Sequence, residues 1–326
     1  MIPKLKSSLV AIFFGAITCF VSLGICFAQD ANEGARLFNE GKMLLKNAKS
    51  RDDLQKAAEN FGKAHRIFTL TGHMPEAALA ANEAGYAHRS LGDLKGGVEF
   101  YLQSLTIKEN IGDVPGQMAT LFNLADSYRM LGDLDIQLKY LTKLGEVCTK
   151  IRDPKCEVMR LNGLGLNQKL RGNSQAALES YSKALKLANK PGMEIMKASI
   201  LNNMGNVYFS SAEYKKSHDC FMESLAICKQ VGDTKNVATV LNQLYGAQFA
   251  MGQMEPALKS LEEALEIDRR IGSSYEEAVI LHNMGHHYEL LGFFDRGLEL
   301  LNQSAQMKQK TGDAQGLAET LAVTGS

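Results

Sequence analysis

A turn signature that returns every 40 residues constrains the fold of this 326-residue chain more than any other feature. One set of turns centres on Gly72, Gly112, Arg152, Gly192, Gly232, Gly272 and Gly312, and a second set lies midway, at Gly92, Gly132, Gly172, Ala212, Gly252 and Gly292. A fixed period of this length is the sequence signature of a repeat architecture, in which each repeat is one small unit stacked on the next. Two turns in each interval leave two elements of roughly 16 residues per repeat, which is the length of a helix rather than a strand.

The residues of the turns also predict helices. Gly ends a helix well because it adopts a left-handed backbone conformation without a Cβ clash. An Asp, Asn or Ser often follows, as in Gly112-Asp113 and Gly172-Asn173, and such a side chain accepts an N–H bond as the N-cap of the next helix. Asp153-Pro154 adds a proline in the first helical turn, where its missing N–H costs nothing.

Between the turns, apolar and small residues recur with helical spacing. The first element of each repeat carries the series Ala81, Leu121, Leu161, Leu201, Leu241, Leu281 and Leu321, followed in most repeats four residues later by Gly or Ala. The second element carries a small residue, then a large one, then a small one, with Phe61, Tyr101, Tyr181, Leu261 and Leu301 as the large residues. Such an i, i+4, i+7 stripe is one face of a helix, so the sequence predicts an all-α fold.

This pattern resembles the tetratricopeptide repeat (TPR), whose signature is a large apolar residue, Gly or Ala, Tyr, Ala, an aromatic residue and Ala. The 40-residue period is similar to the longer variety of the repeat found in Pins-type adaptors, kinesin light chain and bacterial exported TPR proteins. The resemblance implies a right-handed α-solenoid of about seven antiparallel helix pairs, the TPR superhelix.

We expect four segments along the chain. Residues 1–28 form a signal peptide, and 29–74 form an irregular first helix pair with a longer connection over Lys46–Asp53. Residues 75–312 form six pairs of 40-residue period, and 313–326 form a trailing capping helix or a truncated eighth repeat. A cap is needed because the last repeat of an array would otherwise expose its apolar face.

The N-terminus predicts export to the periplasm or the exterior. Lys4 and Lys6 precede an uncharged apolar stretch that ends at Cys26-Phe27-Ala28, the layout of a cleaved signal peptide. The stretch is also long enough to be an uncleaved membrane anchor, and lipidation at Cys26 is a third alternative. With an anchor the lysines would still place the rest of the chain outside the cytoplasm.

Charge and motifs exclude several classes of function. Removal of residues 1–28 takes two of the 36 basic residues and none of the 36 acidic ones, so the remaining net charge is 34 − 36 = −2. This balance gives no broad attraction to nucleic acid. The sequence contains no nucleophile elbow, P-loop, HExxH or paired CxxC motif, so we expect neither an enzyme nor a cofactor.

The resemblance places the first helix of each pair on the concave side of the superhelix. Residues one, two and five places beyond the Leu series then face the groove: Asn82, Glu83, Phe122, Asn123, Asp126, Asn162, Asn202, Asn203, Asn206, Asn242, Gln243, His282, Asn283 and His286. Asparagine is a middling-to-poor helix former, whereas its amide can pair with peptide groups of an extended chain. The asparagine row therefore predicts peptide binding, and the alternative is that these side chains bond neighbouring helices or face solvent.

Charged and metal-binding residues on the same helices give weaker predictions. Arg89, Arg129 and Lys169 favour an acidic partner segment, unless they are only solvated. His282 and His286 are four residues apart, the spacing for one zinc ion, and Glu319 is a potential third ligand. Because no fourth ligand is evident, we expect the two histidines to contact peptide and expect no metal.

Four cysteines lie outside the N-terminal segment. Cys148 and Cys156 flank the turn at Arg152 and can meet across it as a disulfide, which export would permit. Alternatively, Cys148 and Cys228 are small core residues at equivalent positions of two repeats.

Taken together, the sequence predicts an exported, non-enzymatic scaffold that binds partner proteins or extended peptides in a groove, with no nucleic acid and no membrane contact beyond an uncleaved anchor. The alternative is a sensing or docking region of a larger signalling or protease-like protein. Reading the gene past Ser326 distinguishes the two.

Overall fold

The computed structural model describes residues 30–48 and 50–324. The signal peptide predicted over 1–28 lies outside these residues. Within them every regular element is an α-helix and no strand forms. A first helix, α1, covers 30–47 and is followed by α2 (Arg51–Leu70), α3 (Met74–Ser90), α4 (Leu94–Asn110), α5 (Val114–Met130), α6 (Leu134–Ile151), α7 (Pro154–Leu170), α8 (Ser174–Ala188), α9 (Glu194–Ser210), α10 (Tyr214–Val231), α11 (Thr234–Ala250), α12 (Met254–Ile271), α13 (Ser274–Leu290), α14 (Phe294–Thr311) and α15 (Ala314–Thr324).

The helices form two compact units that meet in sequence at Cys156 and Glu157. In the first unit, α2 packs on α3, α3 on α4, and α5 on α6. In the second, α9 packs on α10, α11 on α12, and α13 on α14, while first helices of neighbouring pairs also touch, α9 with α11 and α13 with α15. Each pair therefore buries its apolar face against the next, as expected of a repeat architecture.

The connection between α1 and α2 is shorter than the sequence predicts. Helix α1 continues to residue 47 and α2 begins at Arg51, so both ends of the expected loop over Lys46–Asp53 are helical. The Ser50 side chain accepts the backbone N–H of Asp53, and the Asp53 carboxylate accepts the backbone N–H of Ser50. This reciprocal capping box satisfies two helix-end donors and starts the helix early.

Most of the short turns have a left-handed residue after the helix end, and this residue is usually glycine. Two turns depart from the rule: Arg152 has φ 53° and Ala212 has φ 57°. A side chain with a Cβ atom is strained in this conformation, at a cost of about 1 kcal/mol. The 40-residue pattern of turns is therefore kept at both positions even where glycine is absent.

Small residues sit where large side chains of the same pair press against the helix. A Cβ on Gly205 would lie 2.5 Å from the Phe221 ring, and one on Gly165 would lie 2.5 Å from the Tyr181 ring. Both rings are buried. The alternation of small and large residues along the sequence is thus the packing of first helix against second helix.

Buried serines tie the second helix of a pair to the first. Ser104 donates its hydroxyl to the carbonyl of Ala78 at 2.7 Å, Ser224 to Ala198 at 2.8 Å, and Ser304 to Ala278 at 2.6 Å. The same separation of 26 residues recurs each time. Because each buried hydroxyl has a carbonyl acceptor on the first helix of its own pair, its burial leaves no unpaired polar group.

The turn between α6 and α7 carries a disulfide bond. Cys148 and Cys156 are joined, with their Cα atoms 5.3 Å apart. Cys148 and Cys228 are both buried in the core, as the core interpretation predicts, but Cys148 is bonded whereas Cys228 is free. No helix among the described residues is both long and apolar enough to cross a membrane.

Candidate functional site

Each first helix carries one stripe of residues that lie one, five and eight places beyond the Leu series. In α9 this stripe is Asn202, Asn206 and Phe209, and the spacing i, i+4, i+7 puts the three on one helix face. We call the stripe, with the residue two places beyond Leu, the first-helix face. The sequence-predicted site residues lie on it, and most of them are half-buried.

Asparagines of neighbouring first helices are hydrogen-bonded in pairs. The Nδ2 of Asn203 donates to Oδ1 of Asn162 at 2.9 Å, and the Nδ2 of Asn283 donates to Oδ1 of Asn242 at 2.9 Å. Asn123 and Asn82 repeat the contact at 3.5 Å. Each pair is 41 residues apart in sequence. A second amide N–H on the donor and the amide nitrogen of the acceptor residue are left over in each pair for other partners.

A buried lysine fixes the orientation of Asn82. Lys108 Nζ donates to Thr120 Oγ1 at 2.8 Å, and the Thr120 hydroxyl donates in turn to Asn82 Oδ1 at 3.1 Å. An ammonium group cannot accept a hydrogen bond, so the Thr120 proton must point to Asn82. Burial lowers the pKa of Lys108. The Oδ1 atom of Asn82 is therefore engaged within the protein, which leaves its amide nitrogen as the donor for another partner.

A related arrangement holds His282 near the C-terminal end of the described chain. Lys308 Nζ donates to Thr320 Oγ1 at 2.9 Å and to the Gly316 carbonyl at 3.2 Å. His282 Nδ1 is 3.1 Å from the same Thr320 hydroxyl. Burial, followed by the nearby Lys308 charge, lowers the pKa of His282. His282 is thus held by a neighbouring helix rather than free at the surface.

Asn202 and Gln243 are also 41 residues apart on neighbouring first helices, but their side-chain amides do not form a hydrogen bond with each other. The Oδ1 atom of Asn202 and the Oε1 atom of Gln243 are both buried and have no hydrogen-bond partner within the protein. A buried acceptor without a donor costs about 1–3 kcal/mol. This position lies between the two bonded pairs of the second unit and is the least satisfied part of the first-helix face.

A second periodic contact joins residues 37 apart. Arg89 donates to Asp126 at 2.9 Å, and Arg129 donates to the same carboxylate at 2.7 Å. Two of the three cations predicted to contact an acidic partner, Arg89 and Arg129, are therefore already paired with one internal carboxylate. The cluster keeps a net positive charge of one.

In the described part of the second unit, the residues that lie 37 apart on neighbouring first helices do not form an ion pair like that of Arg89 and Asp126. Phe209 packs over Gly246, where a Cβ would lie 3.5 Å from its ring, and the Phe249 ring is centred 6.5 Å from His286. Phe209 remains 39% exposed. The same relationship relates Lys169 to Asn206, and both are half-buried. Over α9 and α11 this face is therefore aromatic and amide-rich, and Lys169 of α7 adds a positive charge.

A cavity borders the first-helix face in the first unit, next to α3. Its lining includes Lys42, Glu83, Tyr86 and Ser90. The cavity thus extends the face of α3 towards α1. Its walls carry charges of both signs.

His282 and His286, the two histidines with zinc-binding spacing, both lie in α13. Among the described residues no group of three or more His, Cys, Asp or Glu side chains is placed to hold a metal ion. His286 lies beside Phe249, and His282 is bonded to Thr320. The two side chains are engaged with different neighbours.

Sequence reasoning missed four residues that shape the face. Lys108 and Lys308 belong to second helices and contact the first-helix face through the hydroxyls of Thr120 and Thr320. Phe209 and Phe249 occupy the position that Arg89 and Arg129 hold in the first unit. The i, i+4, i+7 spacing from Asn202 and Asn242 would have identified both aromatic residues.

The sequence matches profiles of the tetratricopeptide repeat over residues 78–111 and 197–270. No curated protein sequence matches it significantly.

Solved structures share its fold at low sequence identity. The apo form of RapI has a TM-score of 0.64 at 13% identity, with 86% of this chain and 100% of that chain covered. A Rap protein complexed with competence and sporulation factor gives 0.58 at 14% identity, covering 91% and 96%. A signal transduction ATPase with numerous domains from Pyrococcus horikoshii, which has a tetratricopeptide repeat sensor, gives 0.60 at 16% identity, covering 90% of this chain and 52% of that protein.

Proposed function

Because this chain is a tetratricopeptide repeat protein, we propose that it is a non-enzymatic scaffold that binds an extended segment of a partner protein on its first-helix face, outside the cytoplasm. Protein–protein interaction is the general role of such repeats. The Rap protein in complex with competence and sporulation factor is a structural neighbour that holds a partner.

The observation that carries the proposal is the repetition of the asparagine pairs. Asn203–Asn162 and Asn283–Asn242 use the same atoms and the same distance. Each pair keeps amide donors and an acceptor for a peptide group, which itself has one donor and one acceptor. An extended segment has unpaired backbone groups of this kind along its length. A row of paired amides is therefore suited to backbone recognition.

The proposed location is supported by two features. The N-terminal sequence has the layout of a signal peptide. The Cys148–Cys156 disulfide is a bond that persists in oxidising compartments and is rare in the cytosol. Fractionation of cells that make the protein, followed by thiol labelling before and after reduction, tests this part. Recovery in the cytosol with both thiols reactive would contradict it.

The binding proposal is tested by partner recovery from the native compartment. We expect the wild-type chain to recover defined partners after cross-linking, and a variant with Asn162, Asn202, Asn242 and Asn283 all changed to Ala to recover much less. The matched control changes Asn110 and Asn302, which are exposed on second helices, to Ala. Circular dichroism must show that both variants fold. Equal recovery by the folded quadruple variant would refute binding on this face.

A further inference from the structure

The first-helix face of the second unit contains a cation without a partner acid. Lys169 of α7 is half-buried, and burial lowers its pKa. Among the described residues no carboxylate forms an ion pair with it, whereas Arg89 and Arg129 share Asp126. The residue in the place of that aspartate, 37 positions beyond Lys169, is Asn206, a neutral side chain that can donate. A lysine and an amide without a carboxylate are complementary to an anionic group.

The next two positions of the same row are aromatic. Phe209 lies over Gly246, which has no side chain to cover the ring, and Phe249 lies beside His286. Phe209 is exposed and Phe249 is half-buried, so each ring offers apolar area that a partner can cover. Three successive first helices thus carry a cation, Lys169, followed by two aromatic rings, Phe209 and Phe249.

The spacing of this row selects one backbone conformation of the occupant. Packed helices lie about 8–10 Å apart. A polyproline II segment rises about 3.1 Å per residue with three residues per turn, so side chains three apart share one side and are about 9 Å apart. A β-strand alternates its side chains every residue, so positions three apart point to opposite sides. A polyproline II segment also has no internal hydrogen bonds, which leaves its peptide groups for the asparagine pairs.

We propose that Lys169, Phe209 and Phe249 form a specificity row that selects a polyproline II segment with one acidic and two apolar side chains at three-residue intervals. This deepens the proposed function and rests on it. The acidic side chain pairs with Lys169 and Asn206, and the apolar side chains cover Phe209 and Phe249. The peptide groups between them pair with amides of the Asn162–Asn203 and Asn242–Asn283 pairs.

The experiment uses blocked synthetic peptides and the purified chain in calorimetric titrations. The probe is Glu-Pro-Ser-Leu-Pro-Ser-Leu, together with its reversed order, because the row alone does not set chain direction. Three related peptides serve as comparisons. In the first, Glu is replaced by Gln; in the second, both Leu are replaced by Ser; in the third, Glu and the two Leu are two residues apart instead of three. We expect the better of the two orders to bind on the order of tenfold more tightly than each related peptide, as one desolvated charge pair or apolar contact of about 1.4 kcal/mol requires.

Two lysine variants identify the residue responsible. Lys169→Met should abolish the preference for Glu over Gln, and Lys169→Glu should reverse it in favour of a peptide with Lys in that position. Lys183→Met is the matched control, because Lys183 is exposed on the second helix α8, and it should leave the preference unchanged. Salt should weaken the Glu preference of the wild type and of Lys183→Met alike, whereas Lys169→Met should show no Glu preference at any salt concentration.

The outcomes separate this inference from the proposed function. Equal affinity for the Glu and Gln peptides, equal affinity for the shortened peptide, or no binding of either order would overturn the specificity row. If partner recovery still depends on the four asparagines, the proposed scaffold function stands without it. Loss of both results would remove the proposed function as well.

Discussion

Asn203 donates its side-chain amide to Asn162 over 2.9 Å, although the two residues are 41 apart in sequence and belong to neighbouring first helices. The same bond joins Asn283 to Asn242. Residues on the proposed binding surface therefore also connect one repeat to the next. In repeat proteins such nearest-neighbour contacts are a large part of the stability.

This dual role predicts coupling between Asn162 and Asn203. Each single change to Ala should lower the free energy of unfolding by about 1 kcal/mol, because it leaves the other half-buried amide without its partner. The double variant should lose less than the sum, with a coupling of about 0.5–1 kcal/mol, measured by urea unfolding. Asn206→Ala is the control and should change stability by less than about 0.5 kcal/mol. Strictly additive losses would mean that the pair does not form in solution.

Glycine at the two left-handed turn positions that lack it, Arg152 and Ala212, should stabilise the fold. Arg152→Gly and Ala212→Gly should each raise the free energy of unfolding by about 0.5–1 kcal/mol, because the relief of the Cβ clash at positive φ, about 1–2 kcal/mol, exceeds the unfolded-state entropy cost of a new glycine, about 0.4–1 kcal/mol. The control is Ser211→Gly, whose backbone has φ −94° and gains nothing from glycine. This control should be neutral or slightly destabilising through the unfolded state. Thermal or urea unfolding distinguishes the variants, and equal effects at residues 211 and 212 would contradict the strain.

The Cys148–Cys156 disulfide should stabilise the α6–α7 turn. Closing a loop of this length restricts the unfolded chain by about 2.5 kcal/mol in the chain-entropy treatment. We expect the oxidised protein to resist urea better than the reduced protein by this order. The double variant Cys148→Ala, Cys156→Ala should match the reduced protein and be insensitive to reductant. Because Cys220 and Cys228 are free, an effect of reductant on the double variant would point to another disulfide.

His287 should make the protein less stable in acid. Its ring is buried against Tyr245 and Phe249, and neither ring nitrogen has a hydrogen-bond partner. Burial lowers its pKa in the folded protein below the ordinary value. As the pH falls below about 6.5, the unfolded chain binds a proton that the folded chain does not, so stability is lost on the acid side and retained above it.

The test compares His287→Leu with the wild type at pH 7 and pH 5 by urea unfolding. The variant should be more stable by about 1 kcal/mol at pH 7, since it removes unsatisfied polar atoms, and by more at pH 5. The exposed His73 supplies the control: His73→Gln should keep the acid sensitivity of the wild type. An unchanged pH dependence in His287→Leu would assign the effect to other groups.

Two helical glycines should respond oppositely to alanine. At Gly205 the new Cβ would lie 2.5 Å from the buried Phe221 ring, so Gly205→Ala should cost about 1–3 kcal/mol through overpacking. At Gly62 the nearest atom would be 3.5 Å away, an ordinary contact, and Gly62→Ala should gain about 0.5–1 kcal/mol of helix propensity. Calorimetric melting of both variants provides the comparison. A gain at both positions would show that the pair packs more loosely than described.

Several features of the fold follow from the sequence because they are local. The 40-residue period, the glycine turns and the spacing around Leu121 and Leu201 predict helix pairs of the tetratricopeptide type, and both the fold class and the family are confirmed. The predicted connection over Lys46–Asp53 was too long, because a capping box between Ser50 and Asp53 starts α2 at Arg51. The apolar pattern alone does not locate such a box.

The binding role of the asparagine row stays a prediction, although its placement on one face follows from helical periodicity. Periodicity could not reveal that Asn162 bonds Asn203, that Asp126 holds both Arg89 and Arg129, or that Lys108 orients Asn82. These contacts lie between helices, and their partners are set by how neighbouring repeats stack.

The sequence by itself determined the helices, their turns and the alternation of small and large residues, since each depends on residues a few positions apart. Only the tertiary structure decided which polar groups remain available. Arg89 is paired with Asp126, 37 residues away, whereas the residue 37 places beyond Lys169 is the neutral Asn206. A charge is neutralised by its neighbour in space, and that neighbour is chosen by helix packing.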